Sequence, residues 1–246
     1  MNFEQRGFFM DKNEISKMID HTLLVPFAKE FEIRKLCSEA KNNNFASVCV
    51  NPSFVSVARD VLKNSDVKVC TVIGFPLGAE TSSVKAFATK DAIQNGADEI
   101  DTVINIGAIK DGDFKLVESD IKAVVESAKT TGNEFGKEII VKVILETCYL
   151  DDNEIVKACI AAKNANADFV KTSTGFGTPK SLDGTSLPNG ASVHHVELMK
   201  KTVGQALKVK AAGGIRSAKY AQELIEAGAD RLGTSAGILI VNSWEE

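Results

Sequence analysis

No run of apolar residues is long enough to span a bilayer, and the first eleven residues carry Glu4, Arg6 and Asp11 where a secretion signal would be apolar. No membrane association is expected, and the expected location is cytoplasmic. The five cysteines (Cys37, Cys49, Cys70, Cys148 and Cys159) are odd in number and show neither Cys-x-x-Cys nor zinc-type spacing. They read as reduced thiols. Histidine occurs three times. His194 and His195 open a helical pattern with no serine or cysteine partner of a triad, and His21 alternates away from its polar neighbours. No histidine–carboxylate cluster has metal-ligand spacing, so a metal-dependent mechanism is not expected. An excess of either charge is also missing: 29 Lys+Arg face 33 Asp+Glu, for a net charge of −4. No global field then attracts nucleic acid or an anionic membrane, and an anionic substrate must be held by local donors.

What is present is alternation. Short apolar, β-branched runs at Met18–Leu24, Ala46–Val50, Val67–Gly74, Glu99–Asn105, Ile139–Glu146, Phe169–Thr174, Val209–Gly214 and Arg231–Ser235 read as strands. Amphipathic segments at Lys29–Asn43, Ser53–Lys63, Ser82–Asn95, Leu116–Thr130, Asp152–Ala165, Ser192–Val203 and Ala218–Ala227 read as helices. Eight alternations in 246 residues, 44% of them hydrophobic, fit one domain over residues 1–246, a single (β/α)8 TIM barrel. A doubly wound open sheet would alternate too, but eight strands without a break in composition favour closure. The longest irregular stretch, Phe176–Gly190, follows the sixth strand, which puts it on the rim where a barrel carries its chemistry.

Two lysines stand inside runs that otherwise read as buried. Lys171 lies in Phe169–Thr174 and Lys210 in Val209–Gly214. A strand lysine on its own is commonly snorkelled or salt-bridged. Two on successive strands, each followed by glycines, point instead to a nucleophilic amine. By the two-residue period of a strand, Asp20 shares a face with Thr22, Asp101 with Val103 and Asn105, Lys142 with Ile144 and Glu146, and Lys171 with Ser173. With those faces inward, lysines and carboxylates meet in one lumen. Two ammonium groups ~5 Å apart repel by roughly 3 kcal/mol at an effective dielectric near 20, about two pH units of proton affinity. Asp101 would then relay protons, or else simply cap a neighbouring helix or pair with Lys142. Lys142 and Glu146 read as a structural ion pair at the barrel floor, and Cys49 as a small core residue.

Glycine-rich turns follow three consecutive strands: Thr174-Gly175, Ala212–Arg216 with Gly213 and Gly214, and Gly233–Gly237 with Ser235. Backbone N–H groups at such turns cradle phosphate. A phosphorylated carbonyl compound attacked by a lysine is the chemistry that joins the two signals.

The chain resembles the deoxyribose-phosphate aldolases over nearly its whole length. The resemblance rests on Ile-Asp-His-Thr-Leu-Leu (19–24), Ser-Val-Cys-Val-Asn-Pro (47–52), Val-Ile-Gly-Phe-Pro-Leu-Gly (72–78) and Ala-Asp-Glu-Ile-Asp-Thr-Val-Ile-Asn (97–105). It continues in Lys-Val-Ile-Leu-Glu-Thr (142–147), Phe-Val-Lys-Thr-Ser-Thr-Gly-Phe (169–176) and Lys-Ala-Ala-Gly-Gly-Ile-Arg (210–216). It implies a TIM barrel that cleaves 2-deoxy-D-ribose 5-phosphate reversibly to acetaldehyde and D-glyceraldehyde 3-phosphate through a lysine Schiff base, without metal or cofactor. Lys171 then matches the Schiff-base lysine, Lys210 the second lysine that perturbs it, and Asp101 the proton donor and acceptor. Asp20 and Thr22 match residues near the sugar hydroxyls, Cys49 and Thr174 join the substrate-binding set, and Gly175, Gly213, Gly214, Gly233 and Ser235 match the phosphate site.

Three positions depart from the family pattern. Phe176 stands where some members have a lysine, Ala236 where some have a second serine, and Asn242-Ser-Trp-Glu-Glu stands where some have a C-terminal tyrosine that returns to the site, Tyr149 and Tyr220 being the only tyrosines. Lys180, in the long loop, is expected to replace the cation that Phe176 does not supply, and Gly177–Gly190 is expected to act as a lid over the phosphate. The expected partners are small phosphosugar and aldehyde substrates, with a homodimer or a tetramer as the assemblies considered. The rival readings are a lysine aldolase acting on another phosphosugar and a catalytically silent sugar-phosphate-binding barrel. Retention of Lys171, Lys210 and Asp101 together argues against the second.

Overall fold

The computed structural model describes residues 10–244. Most of the polar leader, residues 1–9, and the last two residues, 245–246, lie outside it. Eight parallel strands close into a barrel in chain order: β1 (Ile19–Leu23), β2 (Ser47–Val50), β3 (Lys68–Ile73), β4 (Glu99–Val103), β5 (Ile140–Ile144), β6 (Phe169–Lys171), β7 (Lys208–Ala212) and β8 (Arg231–Thr234), with β8 pairing back onto β1. Their outward-facing Val, Ile and Leu side chains fill the space beneath the helices, where β-branched residues suit a pleated surface. Val48, Val69, Ile100, Val141, Val143, Val170, Val209 and Leu232 are all fully or almost fully buried there.

Among the described residues the helices are α1 (Lys12–Ser16), α2 (Glu30–Asn42), α3 (Val55–Leu62), α4 (Ser82–Gln94), α5 (Ile106–Lys110), α6 (Phe114–Glu134), α7 (Asp152–Asn164), α8 (Val193–Val203), α9 (Ala218–Glu226) and α10 (Gly237–Asn242). Several begin on side chains that satisfy the free N–H groups of the first turn. Asp151 and Glu154 form a reciprocal cap on α7, while Ser192 and Ser217 cap α8 and α9. The short helices α1, α5 and α10 carry too few turns for a hydrophobic period, and the sequence pattern does not reveal them. His21 faces the helix layer as its alternation implies, its Nε2 lying 3.0 Å from Glu39 on α2.

The strands are shorter at their C-terminal ends than the apolar runs suggest. Asn105, Glu146, Thr174, Gly214 and Ser235 leave the ladder and build the rim. Asn105 illustrates the switch, since its side chain accepts from Ala108 N and starts α5. At Gly213 (φ +90°) a Cβ would come within 2.8 Å of the Gly190 Cα, so this turn needs glycine both for its backbone and for its close approach. The lumen has only a small apolar cluster of its own: Leu24, Cys49, Cys70 and Val72, with Phe75 against it. Its other buried side chains include the charged Asp20, Glu99, Asp101, Lys142, Lys171 and Lys210.

Candidate active site

Three carboxylates and four cations meet inside the barrel, one or two from each of six strands: Asp20, Glu99, Asp101, Lys142, Lys171, Lys210 and Arg231. Their neighbourhood follows from register. Asp101 is paired with Lys142 across β4–β5, Lys171 with Lys210 across β6–β7, and Lys210 with Arg231 across β7–β8. Asp101 is the hub. Its Oδ2 accepts from Lys171 Nζ and Lys210 Nζ, each at 2.8 Å, and its Oδ1 accepts from Lys142 Nζ at 2.8 Å and Cys70 Sγ at 3.2 Å. Lys142 also pairs with Glu99 at 2.5 Å, and Lys210 also pairs with Asp20. Arg231 reaches Asp20 at 2.5 Å and Glu99 at 3.4 Å, while the Ser47 hydroxyl donates to Asp20 at 2.7 Å.

These connections are unequal, and the inequality singles out one amine. With every group ionised, the cluster has one positive charge too many, a costly state in a buried site. Deprotonating Lys142 or Lys210 would break ion pairs with at least two carboxylates. Lys171 has a single partner, Asp101 Oδ2, and shares it with Lys210. Lys171 is thus the lumen amine held by the fewest ion pairs. Burial alone would raise the Asp101 pKa, but Lys142, Lys171 and Lys210 hold it well below the ordinary carboxylate range. Burial likewise disfavours the Lys210 ammonium, yet Asp101 and Asp20 outweigh it and raise its pKa. Lys210 is therefore a fixed positive charge beside Lys171.

Above this cluster, at the C-terminal end of the strands, opens a cavity of about 210 Å³. Lys171 lies at its base. Thr22, Thr174, Gly213, Gly214, Gly233 and Ser235 line it, together with Phe176 and Arg216. Gly175 sits behind this wall, its Cα 3.6 Å from where a Gly213 Cβ would be. Larger hollows lie elsewhere, one of about 520 Å³ between α6 and α7 and one of about 720 Å³ at the opposite barrel mouth, but Lys171 lines neither.

Several sequence expectations change. Asp20, Asp101 and Lys210 are all fully buried and none lines the cavity; Asp101 touches Lys171 at the cavity's base, whereas Asp20 is tied up by Lys210 and Arg231 away from it. Cys49 is the small core residue its strand position suggests, sealed in the lumen beside its register partner Cys70, and not the cavity-lining residue the resemblance implies. Lys142 does not pair with Glu146: it turns to Glu99 and Asp101, while Glu146, on the rim, accepts the backbone N–H and hydroxyl of Thr174. Lys180 does not line the cavity either. Its loop folds on itself as a hairpin, with Lys180 bridged to Ser186. The cation at the cavity wall is Arg216. Glu99, Arg231, Cys70 and Arg216 escaped the sequence reading. Glu99 had a usable signal, being two residues before Asp101 and so on the same strand face.

Two groups of side chains among the described residues bring potential metal donors within 4.8 Å of one another. Cys49, Cys70 and Asp101 are surrounded by three ammonium groups, which oppose a cation. In the exposed group of Asp152, His194 and His195, the His194 Nε2 is already engaged by Asp152 at 2.9 Å. The other lumen carboxylates are taken up by Lys142, Lys210 and Arg231. The arrangement as a whole suits an amine nucleophile under a small polar cavity walled by glycine turns.

The pattern of the DeoC/LacD family aldolases matches residues 14–243. A deoxyribose-phosphate aldolase of Streptococcus sanguinis (strain SK36) is 56% identical over 232 residues, which cover 94% of this chain and 97% of the relative. One from Clostridium perfringens (strain 13 / Type A) is 55% identical over 231 residues, 94% of this chain and 96% of the relative. Among solved structures, the tetrameric deoxyribose phosphate aldolase of Aeropyrum pernix superposes with a TM-score of 0.83 at 31% identity, covering 95% of this chain and 92% of its own.

Proposed function

Because the chain belongs to the DeoC/LacD aldolase family, we propose a residue-level account of the aldol reaction within this barrel. The protein is an aldolase that cleaves 2-deoxy-D-ribose 5-phosphate reversibly to acetaldehyde and D-glyceraldehyde 3-phosphate through a lysine Schiff base. The observation that carries the assignment of roles is the shared carboxylate oxygen: Asp101 Oδ2 touches both Lys171 and Lys210 at 2.8 Å.

Lys171 is the nucleophile. Its unprotonated amine attacks the C1 aldehyde of the open-chain sugar, and loss of water from the carbinolamine gives an iminium. The C2–C3 bond then breaks. Its electron pair flows into the iminium to form an enamine, and the C3 hydroxyl proton leaves through Asp101, so that C3 becomes the aldehyde of glyceraldehyde 3-phosphate. Protonation of the enamine at C2 and hydrolysis of the resulting iminium release acetaldehyde and restore the amine. Lys210 keeps a permanent charge next to Lys171, which favours the neutral amine, and Glu99, Lys142, Asp20 and Arg231 hold Lys210 and Asp101 in place.

The phosphate is held at the opposite wall by the N–H groups of the Gly213–Gly214 and Gly233–Ser235 turns, with Arg216 as the counter-charge. Thr22 meets the sugar between the two ends. A self-associated assembly is part of this reading, supported by the tetramer described for the Aeropyrum pernix relative. The test of the role assignments is acetaldehyde release by Lys171→Met and Lys142→Met. Loss in the first to background, with Schiff-base formation still detectable in the second, is the expected pair of results. Turnover by Lys171→Met overturns it.

A further inference from the structure

Four non-glycine residues among those described have positive φ. Three are asparagines just past helix ends (Asn44, Asn64 and Asn166), where a short polar side chain makes the left-handed region tolerable. The fourth is Glu146, at φ 54° and ψ 60°. Its longer side chain gives it no such local ease, and glycine is the residue this backbone favours. A strained residue retained on an active-site rim asks what its side chain does there.

The Glu146 side chain reaches across to the chain leaving β6. One oxygen accepts from Thr174 N at 3.1 Å and the other accepts the Thr174 hydroxyl. The hydroxyl oxygen in turn accepts from Phe176 N at 2.9 Å. A single carboxylate thus fixes two links of the segment that follows Lys171, and both Thr174 and Phe176 line the cavity. On either side of Glu146 the backbone stays zipped to β6 and its extension, with Leu145 N donating to Lys171 O at 2.9 Å and Thr147 N to Thr172 O at 3.0 Å. The left-handed turn at residue 146 is what swings the side chain out of the strand direction and onto Thr174. Glu146 is 1% exposed, so water does not compete for its oxygens. Burial pushes its pKa up while the Thr174 donors oppose that rise.

We infer that Glu146 is a positioning residue for the aldol reaction: its carboxylate holds the Thr174–Phe176 turn, whose Gly175 backs the Gly213 turn of the phosphate wall, so that this wall is formed before substrate arrives. The inference rests on the reading of Lys171 as nucleophile and of the glycine turns as the phosphate wall. It goes beyond that reading by giving a role to a residue that touches no substrate.

The discriminating variant is Glu146→Gly. Glycine matches the backbone conformation, so the fold is kept, while the clamp on Thr174 is lost. Glu146→Gln keeps one carbonyl acceptor and should restore part of the function. The expected results for Glu146→Gly are a melting temperature at or above the parent's and a KM for 2-deoxyribose 5-phosphate raised by about 10-fold. With unphosphorylated 2-deoxyribose KM should move less than about 3-fold, kcat should hardly move, and Glu146→Gln should fall between. Equal KM values in parent and Glu146→Gly, or a lower melting temperature with no split between the substrates, would overturn the inference and leave the carboxylate a structural role only. Borohydride trapping with acetaldehyde on the parent separates the two levels. An adduct on Lys171 with no KM split overturns the role of Glu146 alone, whereas absence of that adduct removes the premise as well.

Discussion

Replacing Lys210 by leucine removes a charge that shares Asp101 Oδ2 with Lys171. Two contacts of 2.8 Å onto one atom hold the two nitrogens within about 5–6 Å, where ammonium groups repel by roughly 3 kcal/mol at an effective dielectric near 20. Removing that repulsion makes Lys171 keep its proton more tightly. The second consequence acts in the same direction, because Asp101 Oδ2 is then left to Lys171 alone. The acidic limb of the kcat/KM profile should therefore move up by one to two pH units, with turnover at neutral pH reduced by about 10- to 100-fold and partly recovered at high pH. The assay is initial-rate cleavage of 2-deoxyribose 5-phosphate from pH 5 to 10. Urea unfolding of both proteins serves as the control, since breaking a buried pair costs about 3–5 kcal/mol. A limb that stays in place while activity is lost uniformly would refute electrostatic control of Lys171 by Lys210.

Ser235→Asp puts a carboxylate into the Gly233–Ser235 turn; KM for the phosphorylated sugar should rise far more than KM for free deoxyribose, and equal effects would put the phosphate elsewhere. Arg216→Ala should raise KM for the phosphorylated substrate roughly 10-fold, while Lys180→Ala should leave it unchanged at low salt, and the reverse order would restore Lys180 as the phosphate cation. Asp20 and Asp101 are held below their ordinary range by Arg231 and the lumen lysines. The folded protein thus binds fewer protons at these sites than the unfolded chain, so their contribution is complete above about pH 4 and lost as pH falls below it. Urea midpoints should accordingly drop between pH 5 and pH 3 more steeply in the parent than in Asp20→Asn. Parallel slopes would show that Asp20 carries no such linkage.

The strands were legible because each carries a β-branched run bounded by glycine or a polar break, and the period of two was enough to bring Asp101, Lys171 and Lys210 into one lumen. Helix existence was equally legible wherever an amphipathic face ran for three turns or more, as in α7. Ends were not. β6 shrinks to Phe169–Lys171: Thr172 still bonds Lys210 O and Thr147 N through its backbone, but beyond it Thr174 turns its N–H to the Glu146 carboxylate, a rim contact that no local pattern encodes. The floor of the site was hidden for a related reason. Arg231 and Asp20 stand 211 residues apart in the chain, and only closure of β8 onto β1 makes them neighbours. Lys142 was assigned to Glu146 by same-strand alternation, whereas β4 next door offered Glu99 and Asp101 at shorter reach. The period put Glu146 on the Lys142 face and concealed its contact with Thr174, since its left-handed backbone appears only where the strand ends.

The central claim is that Lys171 forms the covalent bond to substrate. It is tested most directly by incubating the protein with 2-deoxyribose 5-phosphate, reducing with borohydride and mapping the modified peptide by mass spectrometry. The account predicts a two-carbon ethyl adduct, or the reduced sugar adduct, on Lys171, with loss of activity proportional to labelling. An adduct confined to Lys142 or Lys210, or turnover that continues with no trapped lysine, would contradict it.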